Sequence, residues 1–251
     1  MITIKSAREI ETMARAGRIV ADTLALMHDY ARAGRSTEDL DREAERFIRS
    51  HEGATPSFKG LYGFPKTLCV SIDQEIVHGI PSPRRVMTDG SIVSVDVGVC
   101  VDGLHADAAT TIAVGDVPAE ARRLLEVTQA ALAAGIAAAK VNGHVGDIGH
   151  AVQTVAEEAG FGVVRELVGH GIGTRFHEEP QVPNFGAPHR GAQLRAGMTI
   201  AIEPMITAGN PATRTLGDKW TVVTADGSLA AHFENTVAIT DQGPRILTRR
   251  A

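Results

Sequence analysis

Several things are scarce in these 251 residues, and each scarcity closes a door. Only two cysteines occur, Cys69 and Cys100, so there is no disulfide framework and no thiolate zinc cluster. Aromatics make up 4% of the chain. No apolar run approaches the ~18 residues a membrane-spanning helix needs. The opening stretch, "MITIKSAREIETMARAG", is charged and lacks the apolar segment of a signal peptide. Positive charge is not in excess either. The net charge is −5, which argues against a nucleic-acid surface, where a basic footprint is expected. These absences leave a protein of ordinary composition, 43% hydrophobic and 22% charged, expected in a reducing cytoplasm. Its length suffices for one substantial core or two small ones.

What is present reads as helix, strand and turn in an order that occurs twice. Apolar residues at helical spacing (Ile10, Met13, Ala14, Gly17, Val20, Leu24, Met27) predict a long amphipathic helix over 6–32. A second helix follows an N-cap at Ser36 or Thr37 and stops at Gly53. The Gly- and Pro-rich stretch 55–65 reads as a loop, and "TLCVSI" and "EIVHGI" as short strands. Residues 90–114 alternate through a hairpin whose turn is Asp102-Gly103. Two more helices, over 119–140 and 146–160, then lead to strands in "GMTIAIEPMI" and "HFENTVAIT". The halves echo each other. Gly90 to Asp96 matches Gly197 to Glu203, each with an acid six residues after glycine, and "TIAV" at 111–114 echoes "TVAI" at 236–239, with an acid upstream at Asp107 and at Glu234. One domain over 1–251 is expected, with pseudo-symmetric halves of roughly 1–115 and 116–251.

Four acids stand where core strands prefer apolar residues: Asp96, Asp107, Glu203 and Glu234. With the turn at Asp102-Gly103, Asp96 lies opposite Ala109, and Asp107 is its diagonal neighbour on the same face. Carboxylates sharing an apolar face repel and are costly to bury unpaired. A shared proton, an arginine or a metal resolves this. "VGHGIGTRFHEEP" at 168–180 adds His170 and His177, and its glycines read as a flexible setting that lets an imidazole approach the acids. Four carboxylates with one imidazole and no thiolate suit divalent Co, Mn, Fe or Zn. Five protein ligands are too many for one open catalytic ion and suit two.

The set "DVGVCVDGLHAD", "GHGIGTRFHEEP", "TIAIEPMI" and "HFENTVAI", with "VHGIP" at 77–81, resembles type I methionine aminopeptidases, in their short bacterial form, over nearly the whole chain. The resemblance implies a mixed α/β pita-bread fold, with helix-helix-strand units repeated about a pseudo-two-fold around a central antiparallel sheet. It implies that Asp96 chelates one metal, that Asp107 and Glu234 bridge both, and that His170 and Glu203 hold the second. The implied activity is removal of N-terminal methionine when the second residue is small, by attack of a metal-activated water on the first peptide bond. Glu203, with its second oxygen, is the expected proton acceptor. By resemblance His177 reaches the substrate carbonyl and His78 the scissile nitrogen. The implied side-chain pocket comprises Phe58, Leu61, Phe64, Cys69, Phe176 and Trp220. Relatives often carry tyrosine or cysteine in place of Phe58, Leu61 and Phe64, and cysteine in place of Val77. His105 and His232, close in sequence to the acids, are candidate supports for metal ligands. Histidines such as His28, His51 and His189 are read as surface residues. The expected partners are the N-termini of newly made polypeptides, without a nucleic acid or membrane. Transient ribosome contact stays open, with no support from the acidic charge, and a monomer is expected. An X-Pro aminopeptidase of the same fold and a non-catalytic binding module are the competing readings; the second is disfavoured by the complete ligand set.

Overall fold

The computed structural model describes residues 1–250. In chain order it contains α1 (Ala7–Tyr30), α2 (Thr37–Arg49), β1 (Ala54–Pro56), a 3-10 turn (Leu61–Gly63), β2 (Leu68–Ile72), β3 (Glu75–Val77), β4 (Ile92–Val101) and β5 (Leu104–Ala113). There follow α3 (Ala119–Ala138), α4 (Val145–Glu158), β6 (Gly162–Val163), β7 (Gly169–Gly171), β8 (Glu178–Val182), β9 (Thr199–Ile202) and β10 (Met205–Thr207). The last elements are β11 (Thr213–Thr215), β12 (Val222–Thr224), β13 (Ala230–His232), β14 (Asn235–Thr240) and β15 (Gly243–Ile246). Helices and the first hairpin fall where periodicity places them. Ser6 and Ser36 begin α1 and α2 through capping boxes with Glu9 and Asp39, which satisfy otherwise orphaned N–H groups. Among the described residues no helix is long and apolar enough to cross a membrane.

The hairpin register explains which way the acids point. Asp96 pairs with Ala109 and Asp107 with Gly98, as the turn at Asp102-Gly103 requires. Alternation sends Val93, Val95, Val97, Val99 and Val101 of β4, with Ala106, Ala108 and Ile112 of β5, into the core under α1 and α2. Asp96, Gly98, Asp107, Ala109 and Thr111 therefore occupy the opposite face. The second half repeats the scheme: β9 pairs antiparallel with β14, and Ile200, Ile202, Val237 and Ile239 go under α3 and α4.

The two halves meet along a seam made by threonine hydroxyls. Thr236 Oγ1 accepts from Asp107 N–H (2.9 Å) and donates to Asp107 C=O (2.8 Å). Reciprocally, Thr111 Oγ1 accepts from His232 N–H (2.9 Å) and donates to His232 C=O (2.8 Å). Each threonine lies four residues after the residue clasped by the other. The symmetry mate of Asp107 is therefore His232. The sequence echo instead suggested Glu234, whose N–H donates to Ala109 C=O across the same seam.

Two sequence expectations are corrected here. Glu203 and Glu234 lie one residue outside β9 and β14 rather than within them. Pro204 has no N–H to continue a ladder, and the chain passes there into a second sheet, where Met205 pairs with His232. Both acids stand at this crossing. The glycines around His170 do not form a flexible loop. Gly169–Gly171 is a buried strand between β8 and β9. A Cβ on Gly169 would meet Ala201 O at 2.4 Å, and one on Gly171 would meet Glu179 O at 2.2 Å. Close backbone approach, rather than freedom, requires glycine there.

Thr236→Val keeps the shape but leaves the Asp107 N–H and C=O without their partner. A buried polar group so orphaned costs about 1–3 kcal/mol, so urea denaturation should show a loss of about 2–4 kcal/mol. Thr111→Val should behave alike through His232. A loss below ~0.5 kcal/mol in both would show that the seam does not carry the join.

Candidate metal centre and adjoining cleft

Asp96, Asp107, His170, Glu203 and Glu234 converge at the seam. His170 Nε2 lies 4.0 Å from Asp107 Oδ2 and 3.7 Å from Glu203 Oε1. Donor atoms of Asp107, His170 and Glu234 lie within 4.8 Å of one another. Asp107 and Glu234 are 3% and 2% exposed. A register shift between His170 and Gly171 in the β7–β8 pairing turns the imidazole toward the acids. Its Nδ1–H donates to Gly171 C=O at 2.8 Å, which leaves the Nε2 lone pair facing the carboxylates. This is an acceptor facing acceptors.

The polar accounting is unbalanced in one direction. Asp96 Oδ1, Asp107 Oδ1 and Glu234 Oε1 are buried and have no hydrogen-bond partner, whereas buried polar atoms are ordinarily paired. Burial, and then the neighbouring carboxylates, push Asp107, Glu203 and Glu234 well above the usual carboxylate range. Burial raises Asp96 to about 7. Burial, followed by the His177 charge, lowers His170 to about 4, so its ring is neutral at pH 7. Mutually repelling oxygens beside an unprotonated imidazole fit divalent cations, and the absence of thiolate favours hard or borderline ones.

The expected supports divide. His232 Nε2 is 3.7 Å from Glu203 Oε2 and 4.0 Å from Glu234 Oε2, so it backs two of the acids. His105 does not. Its Nδ1 pairs with Ser57 Oγ at 2.8 Å and its ring packs edge-on against Phe176, where it props the cleft wall.

Beside the cluster lies a cavity of about 80 Å³ lined by Phe58, Leu61, Phe64, Cys69, His78, Phe176 and His177 together with the five cluster residues. Trp220, expected in this wall, is not in the lining. It sits behind Phe64, edge-on at 5.1 Å between ring centroids, where Asp218 accepts the Trp220 and Thr221 N–H groups and holds the turn. Cys69 pairs with Asp96 in register, and burial pushes its thiol well above the ordinary value, so it is no thiolate nucleophile. His78 follows β3 with φ +60° and is neutral because burial lowers its pKa. Val77 packs in a core with Val222 and Met205, and outside the cavity lining. A larger depression of about 680 Å³ between α1 and α3 is lined mostly by alanine, leucine and isoleucine and has no comparable cluster.

One residue escaped the sequence reading. Tyr62, 73% exposed, stacks on His177 at 5.7 Å and 14°, with its hydroxyl 3.3 Å from His177 Nδ1. If the hydroxyl donates, the neutral His177 ring keeps its proton on Nε2. Nothing in the local pattern announces this, because Tyr62 reaches its place through a left-handed φ of 52° in a 3-10 turn. His51, read as a surface residue, is half-buried with Nδ1 on Phe47 C=O.

A buried carboxylate–imidazole cluster beside an aromatic-walled slot is the arrangement of a metal-dependent hydrolytic centre. Residues 11–241 match metallopeptidase family M24, and the chain belongs to that family. A methionine aminopeptidase of Clostridium perfringens is 52% identical over 248 residues, covering 99% of both chains. The crystal structure of the Thermotoga maritima methionine aminopeptidase superposes with a TM-score of 0.98 at 42% identity, covering both chains fully. A prolidase from Pyrococcus horikoshii shares the fold at TM-score 0.78 and 20% identity, with 64% of its chain covered. The pita-bread architecture is thus that of the family.

Gly98 faces Asp107 across the hairpin, and a Cβ there would lie 2.7 Å from Phe176 and 3.0 Å from Phe58. Gly98→Ala should displace both rings, with an overpacking cost of about 1–3 kcal/mol in thermal or urea unfolding. Unchanged stability would mean the wall yields freely.

Proposed function

We propose that this chain removes N-terminal methionine from peptides whose second residue is small, acting in the cytoplasm on newly made polypeptides. The observation that carries the reading is the shared boundary of the two environments. One small cavity is lined both by the five cluster residues and by Phe58, Leu61, Phe64 and Phe176. The methionine aminopeptidase relatives support it.

In this reading Asp96, Asp107, His170, Glu203 and Glu234 hold two divalent cations of the Co, Mn, Fe or Zn class, whose charge balances the four carboxylates. When bound, the ions supply Lewis acidity toward the first carbonyl and acidify a water. The protein's own groups do the rest. Glu203 sits between His170 and His232 and takes a proton from the attacking water, then passes it to the leaving amine. His177, its Nδ1 accepting from Tyr62, presents Nε2–H to the substrate carbonyl oxygen. His78 faces the scissile nitrogen from the cavity wall. The aromatic slot excludes water and fixes the methionine side chain, while the His78–His177 rim crowds the second residue.

Three outcomes test this. Dialysis against a chelator should abolish cleavage of Met-Ala-Ser, with activity restored by added Co or Mn; full activity in metal-free protein would exclude the metal mechanism. Glu203→Gln should lose at least the roughly 10²–10⁴-fold ascribed to general acid–base steps. His78→Ala should keep its metal and lose mainly kcat, and loss of metal would reassign the residue.

In competition by mass spectrometry, norleucine-Ala peptides should be cleaved within roughly 10–200-fold of methionine-Ala peptides, because an apolar pocket separates near-isosteres weakly. Methionine sulfoxide should be the poorer of the two, since the aromatic and leucine wall of Phe58, Leu61, Phe64 and Phe176 offers its S–O dipole no donor. Peptides beginning Met-Ala and Met-Gly should outrun Met-Leu and Met-Lys; equal rates would remove the crowded second position from the reading.

A further inference from the structure

Away from the cleft, His144, Asp147 and His189 bring three donor atoms within 4.8 Å of one another. They come from two segments. His144 and Asp147 lie at the start of α4, and His189 lies in the connection between β8 and β9. Asp147 arranges the group. One carboxylate oxygen accepts from His144 N–H at 2.7 Å and the other from His189 N–H at 2.7 Å, so the two imidazoles flank the carboxylate. His189 Nδ1 is 3.5 Å from Asp147 Oδ1, and His144 Nδ1 is 4.0 Å from Oδ2. The 4.0 Å separation is beyond a hydrogen bond. Both are close to the spacing of ligands around one ion, since bonds of about 2.0–2.1 Å in a tetrahedral site put donors about 3.3 Å apart. His144 Nδ1 is also sealed from solvent without a hydrogen-bond partner. The three side chains, rather than the helix end, make the site.

We propose that His144, Asp147 and His189 bind one divalent transition-metal cation of the zinc class, with water completing the coordination. Two imidazoles and one carboxylate suit Zn, Ni, Cu or Co and do not suit Mg or Ca, which take oxygen ligands. The two backbone N–H groups hold the Asp147 carboxyl below the usual range, which keeps it anionic at neutral pH. The ion would pin the connection to α4 where their backbones already touch. Gly146 N–H donates to Arg190 C=O and Val145 N–H to Ala192 C=O, both at 3.0 Å. A Cβ on Gly146 would meet Ala187 O at 2.5 Å. The same connection carries Asn184, whose Nδ2 donates to Glu203 C=O at 3.0 Å. The clamp would thus steady a support of the main cluster without sharing any of its ligands.

The experiment counts zinc on the full-length protein. Metal-free wild type and His144→Gln/His189→Gln are dialysed to equilibrium against 50 µM free Zn²⁺ (a concentration ~50-fold above a micromolar Kd) and analysed for bound metal. The double variant should hold one ion fewer per chain, and the Zn-dependent rise in its Tm should shrink. Its cleavage of Met-Ala-Ser should persist, since neither residue touches the cleft, and this also shows that it is folded. Proton–carbon NMR of the rings gives a second reading. His144 and His189 signals should shift along one Zn²⁺ isotherm in the wild type, and His189→Gln should remove the response of His144. Equal zinc counts in the two proteins, or rings that do not respond together up to 1 mM Zn²⁺, would overturn the site. Neither result depends on the peptide specificity proposed for the cleft.

Discussion

Four carboxylates pressed together in a nearly dry interior are the constraint from which the rest of this structure follows. A buried, unpaired charge is among the costliest features a fold can hold, and among the described residues no lysine or arginine pairs with any of these acids. The fold therefore has to fix acids that repel one another and turn their free lone pairs to a common point. It does so with backbone. Asp96 and Asp107 are set by hairpin register, His170 by a strand irregularity, and Glu203 and Glu234 by a crossing between sheets where a proline ends the ladder. His232 then stands against two of the acids from behind.

Space matters as much as charge. Beside the acids the hairpin carries only Gly98 and Ala109, and that thinness lets the rings of Phe58 and Phe176 come down onto β4. Larger residues at these positions would fill the volume in which cations and substrate must meet. His105 and Trp220, each one layer out, press on Phe176 and Phe64 respectively. The wall is backed from behind, and an apolar wall selects by shape more than by polarity.

Much of this was legible in the residues. The hairpin register followed from one Asp-Gly dipeptide, and with it the common face of Asp96 and Asp107. What escaped has physical causes. Strand parity cannot show that a chain leaves one sheet for another at Glu203-Pro204. Glycine's two uses, conformational freedom and absence of a side chain, look identical in sequence, so His170's strand read as a loop. The echo between halves paired Asp107 with Glu234 because both are acids, whereas the backbone symmetry pairs Asp107 with His232. Tyr62 and Trp220 owe their places to turn geometry, and neither a 3-10 turn nor an Asx turn leaves a periodic trace.

The threonine clasp has a consequence for how the site depends on the end of the chain. Asp96, Asp107 and His78 come from the first half of the chain, and His170, Glu203 and Glu234 from the second. The hydroxyl of Thr236 on the Asp107 backbone helps hold the two sets of acids in one space. Thr236 is in turn held by Thr248 Oγ1, which accepts its N–H at 3.1 Å. A chain without these residues would lack that join, and the acids of its two halves would not be held together. The end of the chain thus completes a join on which acids far upstream depend for their common position.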